Sequence, residues 1–494
     1  MRDVDVPYCI DLETIPKPEV GTILVSGATG YIGGRLVKEL LIRGYHLRIL
    51  VRSASSDHDK RWPNCEVVVG DALNYESLID VFKGVTVAYY LIHSLLHGRK
   101  YLEELEIKGA ANFRNAAEFN GVKRIIYLGG LGDQDCELST HLKSRNNVAV
   151  ELVNGKIQVT VLRAAIIIGS GSASYEIIGN LVKNTPVILL PKWAKTYCQP
   201  IGIRDVIKYL VGVLELEETA GKWYDIGGKT KHTYTDMIKI FSHLLGKKKI
   251  YIKVFISGYK FFGYIASLLT PVPAPIVMSL FESIKNEVVC KNTSITEILN
   301  FEPLSYSEAI TLALNIEQQD AIGTRWSDAY PHSHDLDTKL HELGSAKFIS
   351  SYSRISKKTA NSLFDTFCKI GGKEGWFHNN WMWRLRGAGD KMMMGVGTSR
   401  GRRSISKLRI NDVIGFWRVE NIEENKRLLL RAEMKLPGKA WLEFKISDEE
   451  DINHLSVIAY FHPKGIAGKI YWYSFVPFHA LIFKDLIKDI EERS

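Results

Sequence analysis

Thr22-Ile-Leu-Val-Ser-Gly-Ala-Thr-Gly-Tyr-Ile-Gly-Gly-Arg35 is the stretch from which the rest of the chain is read. Ile23, Leu24 and Val25 form a short apolar run of the kind that makes a buried strand. Gly27, Gly30 and Gly33 follow at three-residue spacing, and from Tyr31 the apolar period becomes helical, with Leu36, Val37, Leu40 and Leu41 on one face. A strand, a glycine turn and a helix start bring backbone N–H groups up to a pyrophosphate. In that arrangement Gly27 permits the tight turn, Gly30 the approach of backbone to phosphate, and Gly33 the close packing of helix on strand. Thr29, Tyr31 and Ile32, lying between the glycines, complete the expected phosphate cradle.

Working outward, apolar strand patterns recur at 46–51, 65–69, 85–92, 124–129 and 158–168, with helical patterns between them. Alternation of this kind predicts an α/β fold, a doubly wound parallel sheet covered on both faces. Runs such as Val67-Val-Val69 and Ile125-Ile-Tyr-Leu128 are continuously apolar, as strands buried on both faces require. Residues 1–20, with Pro7, Pro16 and Pro18, read as an irregular arm. The first domain then runs over 21–320, and the chain changes character after Gly323, Pro331, His332 and His334. The second domain, 336–494, shows a helical pattern at 357–370, alternating strands around 440–446 and 455–461, a hairpin turn at 422–427 and a long helix in 466–492. An antiparallel sheet covered by that helix makes it α+β.

At 494 residues, 46% hydrophobic and 24% charged, the chain is long enough for two or three globular domains. The six cysteines are scattered without a C-x-x-C pair, which predicts a reducing, cytoplasmic setting and no metal or disulfide framework. The first twenty residues have no apolar core of a secretory signal. A net charge of +9 favours anions, but no zinc spacing, RNA-binding aromatic motif or basic helix is present, so no nucleic-acid partner is expected. Phe261–Phe281 holds 21 uncharged residues. Pro271, Pro273 and Pro275 interrupt it, which predicts two short helices and, for 254–281, packing in protein or on a membrane surface rather than a span.

Strand two ends at Arg52, where a carboxylate would bind the adenosine ribose hydroxyls. An arginine pairs instead with a 2′-phosphate, which favours NADP over NAD. Asp71, followed by Ala72 at the end of strand three, can accept a hydrogen bond from the adenine amino group. GATGYIG at 27–33, LVR at 50–52 and GDAL at 70–73 resemble the short-chain dehydrogenase/reductase superfamily, most closely its atypical, NmrA-like branch. AYYLIHS at 88–94, IIYLGGLGD at 125–133, LRAAIIIGSGSAS at 162–174 and QPIGIRDV at 199–206 extend the likeness over roughly residues 21–318. The resemblance implies a Rossmann fold, a nicotinamide cofactor and an oxidoreductase acting on an apolar carbonyl, alcohol or sugar-like molecule.

The chain departs from the superfamily's Tyr-x-x-x-Lys pair. His141 and Arg145, four apart and so on one helix face, stand where the tyrosine and lysine usually stand, and the serine position falls in Gly129–Gly130. In one reading His141 is a general acid titrating near neutrality and Arg145 positions the ribose. In another, catalysis is lost and the domain senses or holds NADP(H), as an assembly factor or sensor at a membrane surface would. In a third, His141 only packs the helix start. His93, beside Ser94 at the end of strand four, is a further polar candidate near the nicotinamide. The small residues Gly169–Ser174 leave room for a ligand on the substrate side.

GWFHNNWMWRLRGAGDKMMMGVG at 375–397, RGRR at 400–403 and GIAGKIYWYSFVPFHALIF at 465–483 resemble a domain of unknown function that often follows atypical short-chain reductases. That resemblance implies a helix-grip-like fold, in which Trp381, Trp383, Trp417, Trp441 and Trp472 are candidates to line an apolar cavity. Arg400, Arg402, Arg403, Lys391 and Lys407 form a basic cluster suited to a phosphate or acidic headgroup.

Overall fold

A computed structural model describes residues 6–53, 56–93, 100–132, 137–255, 258–319, 321–329, 343, 346–371, 375–377, 380–398, 400, 402, 408–449 and 452–494. Ser94, Cys136, Arg403, Lys407 and the boundary residues Pro331, His332 and His334 lie outside the described residues. The chain divides into two compact units, Met1–Thr270 with Pro275–Tyr330, and Pro271–Ala274 with Pro331–Ser494.

In the first unit, β1 (Thr22–Ser26), β2 (Leu47–Val51), β3 (Glu66–Val69), β4 (Val85–Tyr90), β5 (Arg124–Gly130) and β6 (Gln158–Ala164) alternate with α1 (Gly33–Ile42), α2 (Ser56–Arg61), α3 (Tyr75–Val81), α4 (Lys100–Phe119) and α5 (Thr140–Val153). Together with Trp223–Ile226 the strands form a seven-stranded sheet in the order Trp223–Ile226, β6, β5, β4, β1, β2, β3. Every pairing in it is parallel. Successive side chains of a strand point to opposite faces, so Ile23 and Val25 join one buried cluster and Leu24 the other. The outcome is the doubly wound α/β fold, a Rossmann sheet. The chain reverses direction across the sheet between β1 and β4, which places the ends of β1, β4 and β5 side by side. Val67-Val-Val69 departs from expectation: β3 is the sheet's edge, and Val69 is half-exposed rather than buried on both faces.

The N-terminal arm is irregular but anchored. Cys9 and Leu12 are buried in the core, and the Tyr8 and Cys9 N–H groups donate to the Glu39 carboxylate of α1. The apolar segment forms two helices, Tyr259–Leu269 and Ala274–Ser283, broken at the prolines as their missing N–H groups demand. Phe262 and Phe281 both pack edge-on against Trp193, and a Cβ on Gly263 would stand 3.1 Å from the Met278 backbone, so the two helices are closely apposed. No helix among the described residues is long and apolar enough to cross a membrane.

The second unit is a six-stranded antiparallel sheet in the order Phe348–Ser356, Ile452–Pro463, Gly438–Glu449, Arg427–Ala432, Trp417–Glu423, Val413–Ile414. The helix Gly465–Arg493 covers one face, burying Trp472, Phe483, Leu486, Ile487 and Ile490 against Leu442, Phe444, Val457 and Phe461. This is the α+β, helix-grip-like arrangement. The expected hairpin turns at Asn425, in the left-handed region at φ 60°.

Two expectations for this unit fail. Its tryptophans do not converge on one space. Trp383 stacks on Trp376 at 4.3 Å beside Trp417, Trp472 stacks on Phe461, Trp441 packs with Leu343 and Leu429, and Trp381 is exposed. Nor do Arg400 and Arg402, the described arginines of the basic cluster, face outward to an anion. Arg400 is buried against Glu433 at 2.7 Å, and Arg402 donates to the Cys368 and Ile370 carbonyls. Arg418 meets the same Glu433 at 2.5 Å. Burial works to raise the Glu433 pKa, but the Arg418 and Arg400 guanidinium groups hold it down to about 2. Removing one partner of such a buried network leaves uncompensated charge. Glu433→Gln is therefore expected to cost about 3–5 kcal/mol in denaturant unfolding of the full chain, and a loss within 1 kcal/mol would show the network to be dispensable.

Candidate functional site

The glycine turn is built as its spacing requires. Gly27 has φ 72°, and a Cβ there would stand 2.6 Å from the Leu91 carbonyl oxygen. A Cβ on Gly33 would be 2.3 Å from the Gly27 oxygen. The Gly30 N–H closes the turn onto Gly27. Helix α1 begins at Gly33 with no side-chain cap, and its Gly34 and Arg35 N–H groups donate to the Gly30 and Ile32 carbonyls.

The flanking candidates have distinct fates. Arg52 is exposed at the end of β2. Asp71 bends back on itself, Oδ1 accepting from the Leu73 N–H at 3.0 Å, and the Ala72 carbonyl accepts from Asn112. The Tyr31 side chain is half-buried, its ring under the Arg35 guanidinium and its buried hydroxyl beside Gly169, directed away from the turn. Sequence reading missed Arg61 on α2, whose guanidinium lies 3.5 Å from the Thr29 carbonyl oxygen and beside Gly34. Its only signal is a position nine residues beyond Arg52, in the same βα connection.

The small residues Gly169–Ser174 do not leave open space. A Cβ on Gly171 would stand 2.7 Å from the Thr324 carbonyl, the Trp326 N–H donates to the Gly171 oxygen, and Arg35 bridges Ser170 and Thr324. Residues 324–326 of the same chain fill the volume.

His93, His141 and Arg145 do come together. β4 and β5 are neighbours and α5 follows β5, so the end of β4 meets the first turn of α5. His93 Nε2 and His141 Nε2 are 3.2 Å apart, and His93 Nδ1 lies 3.4 Å from Glu106 Oε1, an ion-pair distance. Glu106, on α4, also accepts from the Ser144 hydroxyl. Neither Glu106 nor Ser144 was foreseen, because nothing in a solvent-like helical sequence marks which acid turns inward. Arg145 donates through Nη2 to the Leu128 carbonyl and stacks on Tyr127, and its Nη1 is buried without a partner. His141 Nδ1 is likewise buried and unpartnered.

Burial, the neighbouring His93 and the Arg145 charge push His141 down to about 3. Burial and Arg145 also lower His93. Burial works to raise Glu106, but His93, Ser144 and Arg145 hold it down to about 2. The expectation of a histidine titrating near neutrality is thereby overturned, since both rings are neutral at pH 7. A proton on His93 Nδ1 would face the Glu106 carboxylate 3.4 Å away and leave His93 Nε2 as the acceptor. His141 then donates through Nε2, and its unpartnered Nδ1 is an acceptor. Three nitrogens of the site are buried without a hydrogen-bond partner: His93 Nδ1, His141 Nδ1 and Arg145 Nη1. With the glycine cradle, these orphaned atoms fit a nicotinamide nucleotide: backbone N–H groups of the turn for its phosphates, Arg145 and His141 for a ribose or substrate hydroxyl.

Comparison with known proteins bears on the same region. The model of the NmrA-like family matches residues 19–296, and a family described as a protein of unknown function, DUF2867, matches 343–486. The photosystem II assembly factor Ycf39 of Trieres chinensis is 22% identical over 227 residues, covering 46% of this chain and 70% of that protein. The chloroplastic divinyl chlorophyllide a 8-vinyl-reductase of Zea mays is 25% identical over 256 residues, 49% of this chain and 63% of that protein. Among solved structures, the Citrobacter sp. triphenylmethane reductase complexed with NADP(H) is 22% identical with a TM-score of 0.49, covering 59% of this chain and 99% of that chain. With its family model spanning more than half of its length and the glycine turn at that model's start, the chain belongs to the NmrA-like family, an NAD(P)H-binding, oxidoreductase-like branch of the short-chain reductases, here joined to a DUF2867 segment.

Proposed function

We propose that the first unit is an NADP(H)-dependent oxidoreductase for an apolar carbonyl or alcohol, with the Glu106–His93–His141 chain moving the substrate proton. The observation that carries this reading is the 3.2 Å contact between two neutral imidazoles backed by a carboxylate. When bound, the nicotinamide supplies or takes the hydride. His141 Nδ1 takes a hydroxyl proton while its own Nε2 proton passes to His93 Nε2, and the His93 Nδ1 proton passes to Glu106. The proton comes to rest on Glu106, whose neighbours hold it down to about 2, so transfer runs uphill and depends on the hydride step to draw it through. The reverse sequence delivers a proton to an oxyanion, which the Arg145 Nη1 donor stabilises. The exposed Arg52 supports NADP over NAD, because a guanidinium pairs with a 2′-phosphate and cannot accept the hydrogen bonds that ribose hydroxyls donate.

A second reading is a nucleotide holder without turnover, in keeping with the assembly factor among the relatives. It is favoured by the missing Tyr-x-x-x-Lys pair and by His141, which burial, His93 and Arg145 push down to about 3.

Fluorescence titration should give tighter binding of NADPH than NADH, and Arg52→Ala should weaken NADPH by about tenfold while leaving NADH unchanged. Equal affinities would remove Arg52 as the phosphate reader. In a panel of aldehydes, ketones and quinones, Glu106→Gln and His141→Phe should each lower kcat by about 10²–10³ with cofactor affinity retained. Tight NADPH binding with no oxidation of it across the panel decides for the holder. The rate should also cross pH 6–7 without an inflection from His141, which is held down to about 3. For the same reason stability falls with acid: below about pH 6.5 the unfolded chain takes up protons that the buried rings refuse.

A further inference from the structure

The helix Gly465–Arg493 of the second unit is apolar on both sides. One side packs on the sheet. On the other, Ile466, Ile470, Tyr473, Pro477 and Leu481 recur at spacings of four, three, four and four, which aligns them along one stripe. All five are exposed, Ile466 at 76% and Leu481 at 53%. A helix that is hydrophobic all round is normally covered all round, yet these five side chains stay exposed, Tyr473 even with the Phe348 ring edge-on against it. The helix Asn380–Met392 lies alongside, its Arg386 guanidinium over the Tyr471 and Phe475 rings, and it adds exposed Trp381 and Leu385.

The charges around these apolar residues have one sign. From Gly465 to Lys484 the chain contains no acid, while Lys469 and Lys484 are exposed and Lys464 stands just before the helix. On the neighbouring helix Arg384 is exposed, and its one acid, Asp390, is buried, accepting from the Gly397 and Lys435 N–H groups. Aspartate and glutamate return only from Asp485 onward.

We propose that this face docks on an anionic lipid bilayer, with the helix lying in the plane of the headgroups. An apolar, aromatic-bearing stripe bordered, among the described residues of its two helices up to Lys484, by exposed cations matches acyl boundary and anionic headgroup at once. A protein interface would satisfy the apolar stripe but gives no reason for the single-sign border. The absence of any helix able to span the bilayer, among the described residues, makes this a surface contact.

The test is co-sedimentation of the full chain with phosphatidylcholine vesicles made with and without phosphatidylserine. The chain should pellet with the phosphatidylserine vesicles, and less so as salt is raised. Ile470→Ser with Leu481→Ser should reduce binding by at least about tenfold. Lys469→Glu with Lys484→Glu should abolish the preference for phosphatidylserine. Because all four side chains are exposed, unchanged circular dichroism is expected in both variants. No pelleting by the native chain, or equal pelleting of native and variant chains, would overturn the proposal. So would a concentration-dependent dimer that the serine variant dissolves without any vesicle binding, which would assign the stripe to a second copy.

Discussion

Where α1 meets β1, the distance from the Gly33 Cβ position to the Gly27 oxygen is 2.3 Å, well inside contact for any carbon. Only hydrogen fits. That single steric condition fixes how steeply the helix rises from the strand, and with it the direction of the helix start. It also sets the floor of the site, because the Gly27 Cβ position is closed by the Leu91 carbonyl, two residues before His93. The phosphate cradle and the histidine pair are therefore tied to one another through backbone alone.

Chemistry at the other end of the site is governed by burial. Glu106 remains ionised in partly dry surroundings because a histidine, a hydroxyl and an arginine surround it. The histidines stay neutral because the same surroundings make a second positive charge beside Arg145 costly. The superfamily's usual tyrosine and lysine divide proton transfer and ribose binding between a phenol and an ammonium. Here a neutral imidazole chain and a guanidinium occupy those places, with proton positions set by the partners in the chain.

The fold was legible because it is written in local periodicity. Strand, glycine turn and helix at 22–42, the alternation that follows, and the long C-terminal helix all rest on spacing between near neighbours in sequence. His93, His141 and Arg145 could be nominated because strand ends and the first turn after β5 converge in any doubly wound sheet. Glu106 could not, since α4 carries several acids and only its packing against α5 selects one. The filling of the Gly169–Ser174 loop by Thr324–Trp326 was equally hidden, as was the burial of Arg400 and Arg402. Each depends on residues far apart in the chain, and a charged residue reads as solvated until its partner is known.

That distant filling bears on how the protein is made. Arg35 on α1 reaches a carbonyl 289 residues later, at Thr324, and Glu176 waits for Trp326, 150 residues on. Neither contact exists until the ribosome has released the last of the first unit. The glycine turn and its surroundings emerge early, yet they close only at the end, so the nascent unit spends most of its synthesis with Arg35 and Glu176 lacking their final partners.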